Sequence, residues 1–321
     1  MSVKIGIALP VREFAILGAG DAGPLLTLAS EVENLGFDSV WVGDSFVARH
    51  RLEPLTLLAA IAMVTNDITI GTASLTAVLR DPLASAHIMV TLDQISKGRL
   101  KLGIGTGAPL PVQSEYDAVT MTYRERRERV DEAVRGWKTV WRGDEETSLA
   151  GQYFNLGGLR EQSAPVQPGG PDLWLASNGK PIAVERTGTL YDGWLPVRID
   201  PDQYRQSLKQ IRETALAADR DPDKITPAVY VNVNINDDAA VAETGLNDYT
   251  MRYNELPLPA MLPYQIYWGG SAPDMVKFLR PYIEAGTRHI VVRISSFTDY
   301  ERHLHAIAET VVPAVHAMEV G

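Results

Sequence analysis

The chain contains no cysteine in its 321 residues. This absence excludes disulfide bonds, thiolate nucleophiles and cysteine-ligated zinc or iron–sulfur sites. Long hydrophobic runs are also missing, because the longest, Pro54 to Thr65, is much shorter than the roughly 20 residues that a membrane helix needs. The N-terminus lacks the basic and apolar regions of a signal peptide. We therefore expect a cytoplasmic protein that does not associate with membranes.

Positive charge is scarce as well. The 30 basic residues against 40 acidic residues give a formal net charge of -10, which would repel a polyphosphate backbone and argues against nucleic acid as a partner. The sequence has no HExxH, P-loop or GxSxG motif, and we expect no metal site. Hydrophobic residues still make up 45 %, which is enough for a large core. The composition is that of a globular protein, and we expect its partner to be a small organic molecule.

Short apolar runs recur along the chain with helical patterns between them, the clearest helix being Tyr123–Trp141. Such runs are typical of parallel strands buried on both faces, and no polar linker divides them. The alternation predicts an α/β fold, a (β/α)8 TIM barrel that forms a single domain over residues 1–321. A barrel needs about 250 residues, so the surplus is expected in insertions after strand four, around Glu145–Pro171, and after strand seven, around Asn247–Ser271. The predicted strands are Val3–Leu9, Ser39–Val42, Ile68–Leu75, Leu100–Ile104, Asp172–Ala176, Gly193–Val197, Ala228–Ile235 and His289–Ile294.

The carboxyl ends of barrel strands are where functional groups are expected. The loop after the second strand is unusually polar and includes Asp44, Ser45, Arg49 and His50. His50 is the only histidine at a strand's carboxyl end, so its position makes it a candidate acid or base. A lone loop histidine is more often a plain surface residue, and both interpretations stay open at this point.

The segment after the fifth strand, Ser177 to Lys180, has the features of a helix start, because Ser or Asn can cap a helix and Pro181 suits its first turn. The free N–H groups of such a start attract a phosphate, and Lys180 adds positive charge. A plain helix cap is the alternative. The Gly103–Gly107 segment formally matches a dinucleotide-binding fingerprint, but the prolines that follow it favour a barrel loop.

Arginines and tryptophans near the strand ends are candidates for contact with the substrate. The arginines either gather an anionic or carbonyl-bearing substrate or form ion pairs within the barrel rim. The tryptophans either wall the pocket or belong to the core. The residues concerned are Arg12, Arg198, Arg293, Trp194 and Trp268.

Several segments follow one another in a specific order: Gly36–Asp44, Ile70–Ser74, Arg80–Pro82, Thr91–Leu100, Gly103–Gly107, Pro165–Pro171 and Tyr191–Trp194. In this order they resemble the bacterial luciferase-like family of flavin- and deazaflavin-dependent oxidoreductases, over nearly the whole chain. The resemblance implies a (β/α)8 barrel, often a homodimer, with the tricyclic cofactor ring at the carboxyl ends of the strands.

The resemblance also implies cofactor-binding residues. The third strand looks like the bulge that backs the ring, where a non-prolyl cis peptide is usual, here expected at Ala73–Ser74. Thr106 and Gly107 match the loop that borders the ring, and Asp44 matches the aspartate after strand two. The residues that match the phosphate-holding stretch are Ser177, Asn178, Gly179 and Lys180.

This sequence departs from the family's deazaflavin-dependent sugar-phosphate dehydrogenases at two positions. It has Ser45 where they carry histidine and Ala108 where they carry glutamate, so both acid/base groups are missing and that activity is not expected. Thr106 stands where the luciferase branch has arginine, which favours the deazaflavin branch. The catalytic candidates are Ser45, His50 and Glu13. The substrate-binding candidates are Arg12, Arg49, Trp194, Arg198, Trp268 and Arg293.

The function that we predict is hydride transfer between an organic substrate and coenzyme F420. The alternative is an FMN-dependent monooxygenase that uses reduced flavin and dioxygen, with the insertion after strand seven as a lid over the flavin. A lesser alternative is a flavin-binding barrel without catalytic activity. Turnover without dioxygen would distinguish the first from the second.

Overall fold

The computed structural model describes residues 2–45, 50–107, 116–117, 119, 121–142, 147–159 and 163–318. Eight parallel strands form a closed barrel, which confirms the predicted TIM-barrel fold. Each predicted apolar run coincides with one barrel strand, since a strand covered by helices outside and by side chains inside is apolar on both faces. In chain order the strands are β1 (Lys4–Ala8), β2 (Ser39–Val42), β3 (Thr69–Thr76), β4 (Leu100–Gly105), β5 (Thr147–Ala150), β6 (Asn155–Leu159), β7 (Asp172–Ser177), β8 (Gly193–Pro196), β9 (Thr226–Ile235), β10 (Tyr267–Gly270) and β11 (His289–Ile294).

Neighbouring barrel strands pair in the order β1-β2-β3-β4-β7-β8-β9-β11, and β11 returns to β1. The β8–β9 contact is short, because it consists of Gly193 opposite Thr226 and Trp194 opposite Pro227. Beyond this point β8 and β9 diverge toward the carboxyl end.

Helices cover the outside of the barrel. The predicted Tyr123–Trp141 helix is confirmed over Arg126–Trp141, with a short 3-10 turn at Tyr123–Glu125 before it. None of the helices in the described ranges is long and apolar enough to cross a membrane. The helices are α1 (Val11–Ile16), α2 (Gly23–Asn34), α3 (Pro54–Val64), α4 (Pro82–Ile95), α5 (Arg126–Trp141), α6 (Pro181–Leu190), α7 (Pro201–Ala217), α8 (Ala239–Asn254), α9 (Leu258–Met261), α10 (Ala272–Glu284), α11 (Tyr300–Ala306) and α12 (Val312–His316), with a π-helical turn at Ile307–Val311 before α12.

Three of these helices begin at an acidic residue followed by proline, a pair that fixes the helix start locally. The carboxylate accepts a hydrogen bond from a first-turn N–H, and proline suits the first helical position because it has no N–H to leave unpaired. Glu53 caps α3 through Thr56 N at 2.7 Å, and Asp81 caps α4 through Ala84 N at 2.8 Å. Asp200 caps α7 in the same way.

The segment predicted as an insertion after strand seven contains more regular structure than expected. Residues Asn247–Asn254 are the second half of α8, so the irregular part is shorter than predicted. Strand β10 then pairs in parallel with the carboxyl half of β9, from Tyr267 opposite Asn232 to Gly270 opposite Ile235. It thus lies beside β9 beyond the point where β8 and β9 diverge, and this extra strand widens the carboxyl mouth of the barrel.

The other insertion, after strand four, contains the antiparallel hairpin β5–β6. Its turn is anchored to α5 by the buried carboxylate of Glu132, which accepts backbone hydrogen bonds from Gln152, Tyr153 and Phe154. The hairpin therefore lies against the outer helix layer.

Inside the barrel, the amino end is filled by aromatic rings. Trp41 and Trp174 are fully buried with centroids 5.2 Å apart, and His289 contacts both edge-on. A Cβ at Gly71 would lie 2.5 Å from Trp41, and one at Gly193 would lie 2.3 Å from Trp174, so the two glycines make room for these rings. Burial, helped by the charges of two nearby lysines, lowers the pKa of His289 to about 3. The imidazole is therefore neutral at ordinary pH.

Candidate functional site

A cavity opens at the carboxyl end of the barrel, where the fold class places functional sites. Its walls come from the ends of most barrel strands, from α8 and from β10. The lining residues are Gly43, Asp44, Ser45, Arg51, Ala73, Ser74, Thr76, Gly105, Thr106, Gly107, Ala176, Leu195, Val197, Tyr230, Asn232, Tyr249, Tyr253, Asn254, Gln265, Tyr267 and Arg293.

One wall is the bulge in β3. The pairing of β3 with β4 skips from Thr72 to Leu75, which leaves Ala73 and Ser74 outside the regular ladder and facing the cavity. The peptide bond between them is cis, as the resemblance implied. On β4, a Cβ at Gly105 would lie 2.3 Å from Ser74 Oγ, so this close approach of the bulge requires glycine.

The loop after β4 continues this wall with Thr106 and Gly107. Gly107 has a φ of +98°, which disfavours any residue with a side chain, and an added Cβ would lie 2.1 Å from the Tyr116 hydroxyl oxygen. That hydroxyl donates a hydrogen bond to the Thr106 carbonyl at 2.9 Å. The backbone of this loop is thus fixed in place and presents a surface without a side chain at Gly107.

Asp44 lines the cavity, but its carboxylate is used to hold the strands together. Oδ2 accepts from Thr76 N at 2.7 Å and from Arg80 at 2.6 Å, and Oδ1 accepts from Arg80 at 3.1 Å. Arg80 also contacts Glu53 at 2.9 Å. Asp44 therefore connects the end of β2 to the bulged end of β3. Both of its carboxylate oxygens accept hydrogen bonds within the protein.

The predicted phosphate stretch lies at the end of β7, directly after the cavity residue Ala176. Lys180, not Ser177 or Asn178, is the residue that precedes the first turn of α6. The Asn178 side chain accepts from Lys180 N at 3.1 Å, and Ser177 Oγ accepts from Trp194 Nε1 at 3.2 Å. Among the described residues no side chain caps α6, and Lys180 is exposed at its start. The first helical residue, Pro181, has no N–H, and the N–H groups of Ala183 and Val184 donate to the Lys180 carbonyl at 2.8 and 3.1 Å.

The opposite wall is a buried polar cluster around Arg293, which is only 7 % exposed. Its Nε donates to the Tyr230 hydroxyl. Its Nη1 donates to the Tyr253 hydroxyl at 2.6 Å, to the Tyr249 hydroxyl at 3.4 Å and to Glu13 Oε1 at 3.1 Å. Tyr249 in turn donates to Glu13 Oε1 at 2.6 Å. We call these five residues the Arg293 cluster.

The two stacked tyrosines of α8 differ in their electrostatic surroundings, although their ring centroids are only 5.0 Å apart. Burial and the charge of Glu13 raise the pKa of the Tyr249 phenol well above its ordinary value. Burial also acts to raise the pKa of Tyr253, but the charges of Arg293, Arg51 and Arg12 outweigh it and lower that pKa. Burial raises the pKa of the third phenol, Tyr230, with Arg293 acting against it.

The predicted catalytic residues lie at different distances from the cavity. Ser45 lines it. Glu13 is 2 % exposed and lies behind the wall, bonded to Tyr249 and Arg293. His50 is exposed and is not among the lining residues, whereas its neighbour Arg51 is.

Two of the predicted substrate-binding residues, Trp194 and Trp268, are not among the residues that line the cavity. Trp194 is fully buried against Tyr204, with centroids 4.8 Å apart, and is a core residue. Trp268 stacks on Phe278, because alternation along β10 directs Tyr267 toward the cavity and Trp268 away from it.

The arginines that were predicted to bind the substrate also lie in different places. Arg198 is exposed outside the cavity, and Arg12 packs over the Tyr253 ring at 4.4 Å. Arg293 lines the cavity and also forms an ion pair with Glu13, so both features that the sequence left open are present at this residue. Arg49 and Ala108 lie outside the described residues.

Sequence reasoning missed most of the wall formed by α8 and β10. The missed residues share one property: they are polar or aromatic and come from a stretch that was expected to contribute to the pocket or its cover. The four-residue spacing of Tyr249 and Tyr253, which puts both on one helix face, was the available signal. The missed lining residues on this side are Tyr249, Tyr253, Asn254 and Gln265.

Comparison with known proteins gives a consistent family and fold. The sequence model of the family described as luciferase-like monooxygenase matches residues 3–288. An F420-dependent glucose-6-phosphate dehydrogenase of Kineococcus radiotolerans is 28 % identical, over 97 % of this chain and 96 % of its own length. A 5,10-methylenetetrahydromethanopterin reductase of Methanolobus tindarius is 29 % identical over 67 % of this chain and 63 % of its own.

Solved structures have the same fold. An F420-dependent secondary alcohol dehydrogenase in complex with an F420-acetone adduct superposes with a TM-score of 0.80 at 22 % identity, covering 98 % of this chain and 99 % of that chain.

Proposed function

The chain belongs to the luciferase-like monooxygenase family, and from that membership we propose that it is an oxidoreductase that transfers a hydride between an organic substrate and coenzyme F420, bound in the cavity at the barrel's carboxyl end. The observation that carries this proposal is the wall formed by Ala73–Ser74 and Thr106–Gly107, which faces the cavity with backbone and small side chains. Relatives of nearly equal length are named F420-dependent dehydrogenases.

The cavity fits a deazaflavin in its shape and its chemistry. A planar ring needs a wall without large side chains, and the cavity is lined on this side by Ala73, Ser74 and Gly107. When bound, the deazaflavin supplies a carbon that accepts or gives a hydride, and this carbon replaces the flavin nitrogen that supports peroxide chemistry. The positive end of the α6 dipole and the exposed Lys180 ammonium fit the cofactor's phosphate.

Each wall then has a separate task. We assign Ala73, Ser74, Thr106 and Gly107 to the ring, and Asp44 to holding that wall in place through Arg80. We assign the stretch Ser177, Asn178, Gly179 and Lys180 to the phosphate.

The substrate then lies between the ring and the opposite wall. We assign Asn232, Gln265, Tyr267 and Arg51 to substrate contact, in place of Trp194, Trp268 and Arg198, which lie elsewhere. The amide and phenol groups of this wall suit a substrate with hydroxyl or carbonyl oxygens. Ser45 also lines the cavity.

Binding and anaerobic turnover test the proposal together. The protein is titrated separately with F420 and with FMN, and reduced F420 is then offered with a panel of ketones and aldehydes without dioxygen. We expect tighter binding of F420 and oxidation of the deazaflavin in the absence of dioxygen. An absolute requirement for dioxygen together with FMN would establish the monooxygenase alternative instead. Tight cofactor binding without any turnover would establish the non-catalytic barrel.

A double variant tests the phosphate assignment. Ser177→Ala with Asn178→Ala is expected to weaken F420 binding, whereas Thr189→Ala at the exposed far end of α6 is expected to leave it unchanged. Equal affinities in the two variants would refute the assignment.

Three further features stay predictions. We propose a single domain over residues 1–321, a homodimer and a cytoplasmic location. Light scattering of the purified protein measures the oligomeric state directly.

A further inference from the structure

The Arg293 cluster holds three phenols on one guanidinium, and their protons are not equivalent. The Tyr249 hydroxyl donates to Glu13 Oε1 at 2.6 Å, so its hydrogen is committed within the cluster. Tyr230 and Tyr253 instead accept hydrogen bonds from Arg293. A phenol oxygen that accepts a hydrogen bond still carries its own hydrogen to donate. Both of these hydroxyls belong to cavity-lining residues.

Tyr253 differs from Tyr230 in the number of cations around it. Its hydroxyl accepts from Arg293 Nη1 at 2.6 Å, and the guanidinium carbon of Arg12 lies 4.4 Å from its ring centre. Arg51 lines the same cavity and acts on the same phenol. The three positive charges stabilise a phenolate relative to a phenol, so proton release from Tyr253 is easier than from its neighbours.

We propose that the Tyr253 phenol is the proton donor and acceptor of the site. The histidine and the glutamate that match this role in the family's sugar-phosphate dehydrogenases are replaced here by Ser45 and Ala108. This inference rests on the proposed function and deepens it. It names a carbinol and carbonyl pair as the substrate class, because a phenol exchanges its proton with the oxygen of such a pair.

In the oxidative direction, the C–H bond of the carbinol carbon breaks, and its hydrogen leaves with the electron pair as a hydride to oxidised F420. The O–H bond of the same carbinol breaks, its proton goes to the Tyr253 phenolate, and a C=O double bond forms. The alcohol is oxidised, the deazaflavin is reduced, and Tyr253 becomes a neutral phenol. In the reductive direction the phenol returns its proton to the carbonyl oxygen as the hydride arrives.

The remaining members of the cluster position Tyr253 and tune its proton affinity. Arg293 holds the phenol oxygen, and Glu13 fixes Arg293 together with Tyr249. Removing a cation is expected to make the phenolate less stable, and removing Glu13 to make it more stable. The charged and titratable groups around Tyr253 are Arg12 and Glu13 of α1, Arg51 before α3, Tyr230 of β9, Tyr249 of α8 and Arg293 of β11.

The first test uses the protein without cofactor and reads ionisation directly. A pH titration of tyrosinate ultraviolet absorbance is expected to show one tyrosine of the wild type that ionises before the others. Tyr253→Phe is expected to lose that early step, whereas the matched variants Tyr249→Phe and Tyr230→Phe are expected to keep it. An early step that persists in Tyr253→Phe overturns the proposal.

The second test reads turnover with the cofactor-loaded enzyme. For alcohol oxidation, kcat/KM of the wild type is expected to rise with pH up to the phenol's pKa. Tyr253→Phe is expected to lose this dependence and about 10²- to 10⁴-fold in kcat, which is the usual contribution of a positioned acid or base. Its affinity for F420 is expected to stay the same.

A further variant keeps the Tyr253 phenol, so it tests the proposal even if the Tyr253→Phe variant does not fold. Arg51→Gln removes one cation, so both the early ionisation and the limb of the pH profile are expected to move to higher pH. If F420 turns over but Tyr253→Phe keeps the wild-type pH profile and rate, the inference alone fails. It also fails if the limb of the pH profile does not move in Arg51→Gln. If the wild type neither binds nor turns over F420, the proposed function fails and the inference with it.

Discussion

His289 and Arg293 lie on the same strand, β11, and both side chains point into the barrel and are buried. Around His289, at the amino end, the neighbours are the rings of Trp41 and Trp174 and the hydroxyl of Ser39, which lies 2.7 Å from the imidazole. Around Arg293, at the carboxyl end, they are a carboxylate and three phenols.

The difference shows how one barrel separates stability from function. At the amino end, aromatic rings fill the interior and the titratable group is kept neutral. At the carboxyl end, burial raises the cost of charge, but the cations and the carboxylate offset one another and a cavity opens beside them. Packing holds the first cluster, and electrostatics and hydrogen bonds hold the second.

The largest expected effect concerns the packed end. Trp174→Ala removes a fully buried ring and leaves a cavity against Trp41, so we expect the free energy of unfolding to fall by about 3–5 kcal/mol. Urea denaturation measures this loss. Trp268→Ala, which removes a partly buried ring stacked on Phe278, is the control and is expected to lose less. Equal losses would show that the barrel interior is not the main source of stability.

The next effect concerns the charged end. Glu13→Gln keeps the shape of the side chain and removes its charge, so Arg293 and Tyr249 lose a charged acceptor and we expect a loss of about 2 kcal/mol in unfolding free energy. Glu31→Gln, in a half-exposed contact with His305, is expected to change it by less than about 1 kcal/mol. A Glu13 variant as stable as the wild type would contradict the electrostatic account of this end.

The pH dependence of stability sharpens the comparison further. In the folded protein the His289 imidazole stays neutral down to about pH 3, whereas in the unfolded chain it takes up a proton below about pH 6.5. Protonation therefore stabilises the unfolded state as pH falls, and stability present above pH 6.5 is progressively lost below it. Between pH 7 and pH 5, protonation of this group alone is expected to lower the free energy of unfolding by about 2 kcal/mol.

His289→Gln tests the assignment by denaturation at both pH values. Between pH 7 and pH 5, the free energy of unfolding is expected to fall less in this variant than in the wild type. In the exposed control His50→Gln it is expected to fall as much as in the wild type. A pH dependence unchanged in the His289 variant would assign the effect to another group.

The smallest effect concerns the rim of the carboxyl end. Lys180→Ala removes one exposed positive charge beside the start of α6, so F420 affinity is expected to fall roughly 2- to 5-fold, the usual size of a charge effect at a helix terminus. Stability is expected to stay within about 0.5 kcal/mol. Lys209→Ala, on the exposed face of α7, is the control and is expected to change neither quantity. Loss of affinity in both variants would indicate a general charge effect.

The barrel could be predicted from the sequence because its signal is local. Apolar runs such as Ile68–Leu75 report burial on both faces of a strand without reference to any partner. Strand β10 could not be found in this way, since Tyr267–Gly270 is short, half glycine and only partly buried. Its pairing with β9 is a tertiary event, and the sequence pattern there resembles a loop.

The segments that we assign to the ring and the phosphate were found through ordered motifs, whereas most of the opposite wall carries no such motif. The role that we propose for Tyr253 depends on Arg12, Arg51 and Arg293, which are distant in sequence and meet only in the folded barrel. Arg51 lines the cavity and His50 does not. This difference depends on the folded backbone, and composition carries no information on it.

The placement of β10 has a consequence for how this enzyme could acquire new specificities. One contiguous stretch, from Tyr249 to Tyr267, supplies five of the residues that line the cavity, and it joins the barrel through backbone pairing that tolerates many sequences. The residues assigned to F420 lie on other strands and do not take part in that pairing. Recombination of this stretch between homologous genes would therefore exchange these five lining residues together, including the tyrosine that we propose as proton donor, while the residues assigned to the cofactor stay the same.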